Sequence, residues 1–240
     1  PVKQITASYL AELYQKYFDN YRWEISQRSE IIGDQGSDFR TWSTQQFLST
    51  IEKWYLFSIE DKKAVNIPIK EFDLILNKFD QEAVIFRPTI YEVLADRAFT
   101  FFENYSNYAT ENEESFQIGK PEYFEIGKAF RDQQLKSTDL NSPRLKMLKL
   151  YQDIITTQVV AKNQAAEATY DLSRLQYVYN NASLENKNEK YTEALTNLAK
   201  SHNNIEYYTE ISAVLASHVR NISDDVDAKI KAIKICDEAI

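Results

Sequence analysis

Residues 142–161 read Ser142-Pro143-Arg144-Leu145-Lys146-Met147-Leu148-Lys149-Leu150-Tyr151-Gln152-Asp153-Ile154-Ile155-Thr156-Thr157-Gln158-Val159-Val160-Ala161. Serine followed by proline is a helix start, with a side-chain oxygen to accept a first-turn N–H and a ring that presets the first helical φ. Behind it, Met147, Leu148, Tyr151, Ile154 and Ile155 recur at three- and four-residue spacing, one face of an α-helix. From this anchor the C-terminal part reads as successive helices at about 142–161, 164–181, 187–201, 205–219 and 224–240.

The set Tyr191, Ala194, Leu195, Leu198 returns as Lys229, Ala232, Ile233, Cys236, a shift of 38 residues. A tetratricopeptide unit is a helix–turn–helix of about 34 residues. Residues 139–240 are therefore expected to be tetratricopeptide-like, with longer loops and without the strict glycine and proline marks.

Residues 1–138 give a less regular helical reading. A first helix spans about 5–27, with Leu10, Leu13, Tyr14, Tyr17, Phe18 and Tyr21 on its expected inner face, and Gly33 and Gly36 end it. Ser43-Thr44-Gln45-Gln46 is a capping box, and Trp42 and Phe47 stand at the spacing of a hydrophobic staple. That second helix runs through Ile51, Trp54 and Tyr55 to about Ile59.

Pro68 opens a short helix holding Phe72, Leu74, Ile75 and Leu76. Thr89 and Glu92 form a second capping box, leading a helix with Val93, Leu94, Ala98, Phe99 and Phe102 inward. Residues 106–120 read as a polar, flexible loop with Glu111, Glu113 and Glu114, and a short helix is expected around Tyr123–Ile126.

Composition agrees with helix. The 240 residues include 4 glycines and 5 prolines, too few for the turns of a β or α/β chain of this length. Hydrophobic residues make up 43%, enough for a sizeable core. The 16 tyrosines and 13 phenylalanines suit gaps between packed helices. The expected architecture is all-α, an array of antiparallel helix pairs.

The net charge of −8 and the lack of a basic stripe argue against nucleic acid as a partner. No apolar run approaches the length of a membrane span. One cysteine, Cys236, excludes an intrachain disulfide.

Candidates for chemistry are sparse. His202 and His218 are the two histidines, and with one cysteine they supply no zinc or catalytic set, so both are read as exposed or half-buried helical residues. Cys236 is expected to be a small buried hydrophobe on the apolar face of the last helix. The carboxylates at Glu111–Glu114 lack the alternation of a calcium loop and read as a solvated charge run.

Asn104, Asn181 and Asn221 begin glycosylation triplets, a pattern common by chance. Tyrosine-rich stripes offer a sugar- or peptide-binding surface as an alternative to core packing. No catalytic, cofactor or metal residue is assigned. The first residues enter helical pattern almost at once and the last run to Ile240 without a stop signal, so both ends are expected to continue into a longer protein.

A family resemblance runs through the chain. Leu10-Ala11-Glu12-Leu13-Tyr14, Asn20-Tyr21-Arg22-Trp23, Thr41-Trp42, Arg87-Pro88-Thr89-Ile90-Tyr91 and Ala98-Phe99-Thr100-Phe101-Phe102 occur in order. Leu148-Lys149-Leu150-Tyr151-Gln152 and Lys234-Ile235-Cys236-Asp237-Glu238-Ala239-Ile240 follow. Together they resemble the N-terminal helical region of the large alpha-2-macroglobulin-like proteins of Bacteroidetes.

The resemblance implies export to the cell envelope and a long parent chain in which macroglobulin β domains follow. It also implies an association with trapping endopeptidases, sometimes through a thioester. Cys236-Asp237-Glu238-Ala239 has alanine where the thioester motif needs glutamine, so that role does not carry over.

The expected partners are the macroglobulin domains of the same polypeptide, or a protease or other envelope protein. A helical SusD-like glycan-binding or outer-membrane assembly protein is the rival reading.

Overall fold

The computed structural model describes residues 1–28, 38–72, 74–76, 82–105, 116–204, 207–223 and 226–239. Among them every regular element is helical, and no strand is present beyond two isolated bridges. The chain divides into two compact units, Pro1–Ala109 and Thr110–Ile240. The division falls inside the polar stretch 106–120, and residue 138 lies within the second unit.

In the first unit, α1 (Val2–Asn20) packs along α3 (Thr44–Glu60), with α4 (Ile90–Tyr105) against both. The inward face of α1 differs from the expected one. Gln4, Ala7, Ser8, Ala11 and Phe18 are buried, whereas Leu13 is 64% exposed and Tyr21 is 44% exposed. Of the expected face Phe18 alone is fully buried, its ring 5.9 Å from that of Phe47 of α3.

Nor does the helix run unbroken to residue 27. It ends at Asn20, and Tyr21 separates it from the short α2 (Arg22–Ser26). Asp19 and Asn20, whose side chains compete for backbone hydrogen bonds, precede the break.

The start of α3 follows the sequence reading. Gln46 N donates to Ser43 Oγ at 3.3 Å, and Ser43 N donates to Gln46 Oε1 at 2.7 Å. Trp42 meets Phe47 edge-on with ring centroids 5.4 Å apart, which forms the staple. At α4, Glu92 is fully buried and its Oε2 accepts from Thr89 N at 2.8 Å and from Thr89 Oγ1 at 2.5 Å.

The segment after Pro68 is held by backbone pairing rather than by an apolar helical face. Ile69 N donates to Pro88 O and Ile90 N to Ile67 O around the Pro68–Thr89 bridge. A 3-10 turn covers Ile69–Phe72, of which Ile69 is buried, and Leu74 and Ile75 are exposed.

Within the first unit, α1 and α4 share a polar tie. Arg97 of α4 donates through Nε to Ser8 Oγ at 2.6 Å and through Nη2 to Glu12 Oε2 at 2.6 Å. Glu12 is also paired with Lys16, and these cations hold its carboxyl below the usual carboxylate range.

The second unit begins with packed residues where the sequence suggests a free loop. Phe116 and Ile118 are buried, and Ser183 N donates to Ile118 O at 3.1 Å beside the Ile118–Ala182 bridge. A 3-10 turn (Pro121–Phe124) and α5 (Gly127–Arg131) follow. Then α6 (Pro143–Ala161), α7 (Gln164–Asn181), α8 (Lys187–Ser201), α9 (Tyr208–Asn221) and α10 (Val226–Glu238) each pack on the next.

Ser142 caps α6 by accepting from Leu145 N. Lys162 ends α6 in the left-handed region with φ 58°, and its N–H reaches back to Gln158 and Val159 carbonyls. Asn163 then caps α7 through Ala166 N at 3.1 Å, so two residues turn the chain from one helix into the next.

The Glu111–Glu114 run, Gly33 and Gly36 lie outside the described residues. Among the described residues no helix is long and apolar enough to cross a membrane.

Candidate interaction surfaces

The residues singled out for chemistry are drawn into packing. His218 of α9 is 8% exposed, deeper than the sequence reading placed it, and sits against Tyr191 and Tyr179 with ring centroids 4.7 and 5.1 Å away. Those two tyrosines stack on each other at 4.5 Å, and Lys187 lies over the Tyr179 ring. His218 Nε2 stands 3.2 Å from the Asn188 carbonyl, a partner that requires the proton on Nε2. Burial lowers the pKa of His218, the Asn188 contact partly opposing it. Burial also pushes the Tyr191 hydroxyl up to about 12.

His202 ends α8. Ser201 Oγ lies 2.9 Å from its Nδ1, a pairing that invites comparison with a nucleophile and its base. The same Nδ1 faces the Leu198 carbonyl at 3.2 Å, and Ser201 Oγ itself reaches Leu198 O at 2.9 Å. A nitrogen that donates to a carbonyl cannot take the serine proton, so this is a helix-end arrangement. Nearby Glu167 is half-buried, and desolvation raises its pKa against the pull of His202 and Arg131.

Cys236 is exposed, not buried. Among the described residues helix α10 packs chiefly on α9, and Ala232 is its buried residue. Asn181 Nδ2 donates to Tyr177 O within its own helix. Among the described residues no group of three or more histidine, cysteine, aspartate or glutamate side chains is placed to hold a metal.

Two sets of exposed apolar side chains each share a helix face. In the first unit, Tyr9 and Leu13 on α1 and Tyr21 just past its end share a four-residue spacing with half-buried Tyr17, and Leu13 is 64% exposed and Trp23 of α2 76% exposed. Behind these side chains the rings interlock. Tyr14 stacks on Trp42 at 5.4 Å, and Tyr17 meets Phe39 edge-on at 5.0 Å and Tyr21 at 4.7 Å. Such pairs add about 0.5–1.5 kcal/mol each beyond their burial and make the platform rigid.

In the second unit, α9 and α10 border an open groove of about 590 Å³, with Ala213 and Ser217 on one wall and Ile233 and Cys236 on the other. Val226 and Ile230 extend the apolar edge of α10 into solvent.

Comparison with protein-family models, with characterised proteins and with solved structures finds no match.

Proposed function

We propose that this chain acts by binding rather than catalysis, as the N-terminal helical scaffold of an envelope alpha-2-macroglobulin-like protein. The second unit is read as a tetratricopeptide-like array of antiparallel helix pairs. The observation that carries the binding role is the set Tyr9, Leu13, Tyr21 and Trp23, aromatic and apolar side chains exposed on α1 and just past its end, with half-buried Tyr17 between them. Contiguous apolar surface of this kind marks docking sites on otherwise polar molecules. The family resemblance of the sequence supplies the occupant, the macroglobulin domains of the same polypeptide, and through them a role in trapping endopeptidases at the cell envelope.

Cross-linking with mass spectrometry on the intact parent protein tests this reading. Lys16 on α1, and Lys187, Lys190 and Lys200 on α8, are expected to link to macroglobulin domains of their own chain. Links confined to foreign proteins would replace the scaffold with an adaptor.

The interlocked Tyr14–Trp42 and Tyr17–Phe39 rings support the rival, a SusD-like glycan-binding protein, because sugar rings stack on such platforms. Binding of soluble polysaccharide that is lost in Trp23→Ala would favour the rival.

A further inference from the structure

We draw no further inference here: the strongest candidate, the apolar cleft that Phe72, Ile75 and Leu76 form against α1 and α4, carries nothing because its volume of about 30 Å³ leaves room for about two water molecules and its polar side chains are already engaged, Arg97 with Ser8 and Glu12.

Discussion

The guanidinium carbon of Arg174 lies 4.0 Å from the centroid of the Phe130 ring. Arg174 is fully buried on α7, and it ties that helix to the irregular segment before α6. Its Nε donates to Asp171 Oδ1 at 2.7 Å, and its Nη1 donates to the Tyr123 carbonyl at 2.7 Å. Asp171 Oδ2 in turn accepts from Gly127 N, at the one glycine whose φ, +57°, lies in the left-handed region among the described residues. Gln152 of α6 completes the joint by donating to the Phe130 and Gln133 carbonyls at the end of α5.

Removing the cation leaves Asp171 buried without its partner. Arg174→Ala is therefore expected to destabilise the second unit by about 3–5 kcal/mol. Arg174→Met, which keeps the stem over Phe130, should recover little, because the stranded carboxylate is the cost. The paired change with Asp171→Asn should recover more. Urea titration of the four proteins measures this, and equal losses for Arg174→Met with and without Asp171→Asn would show that packing rather than charge holds the joint.

Trp42 is half-buried and touches Tyr14, Phe39 and Phe47, so it both staples α3 and braces α1. Trp42→Ala should cost on the order of 2 kcal/mol, below the value for a fully buried aromatic because part of the ring already meets water. Thermal unfolding followed in the near ultraviolet would report the loss, and a change near zero would mean the ring contacts do not stabilise the helix pair.

His218 gives a pH dependence whose sign follows from burial. Its native pKa is lowered, so between that value and the unfolded value of about 6.5 the unfolded chain holds more protons. The stability contribution is complete above about pH 6.5 and is lost as pH falls through the native value. Around the ring stand Tyr179, Tyr191 and, over Tyr179, Lys187, so no carboxylate contact is present there to favour the imidazolium among the described residues. The urea midpoint of the wild type should drop between pH 7.5 and 5.5 more than that of His218→Gln. Equal drops would remove His218 as the cause.

Helix starts were the readable part of this sequence, because their signals are local. Ser43 with Gln46, Thr89 with Glu92, and Ser142 with Pro143 each act within four residues, and all three caps form. What decides packing acts across longer distances. Asp171 and Arg174 resemble a surface pair three residues apart. Their burial depends on Tyr123 and Gly127, 51 and 44 residues away.

The inner face of α1 was legible in part, at buried Phe18, and missed elsewhere for a related reason. Hydrophobicity favours Leu13, but Ala7 and Ala11 are the buried residues there. Cys236 was placed in a core because its helix is amphipathic, and periodicity does not reveal whether a second neighbour exists to cover the face. The exposed set on α1 and the groove share that property, since both are sets of apolar residues whose exposure only the fold discloses.

The Ile118–Ala182 bridge has a mechanical consequence. It clamps the chain near the start of the second unit directly onto the turn after α7, with Ser183 N on Ile118 O. Tension arriving along the backbone from the N-terminal side is therefore shared between the α7–α8 turn and, through Arg144 Nη1 on Gln117 Oε1, the first turn of α6. The stretch from Gly119 to Ser142 is bypassed by these contacts, and the Arg174 joint that ties it to α7 bears load only after the clamp has parted.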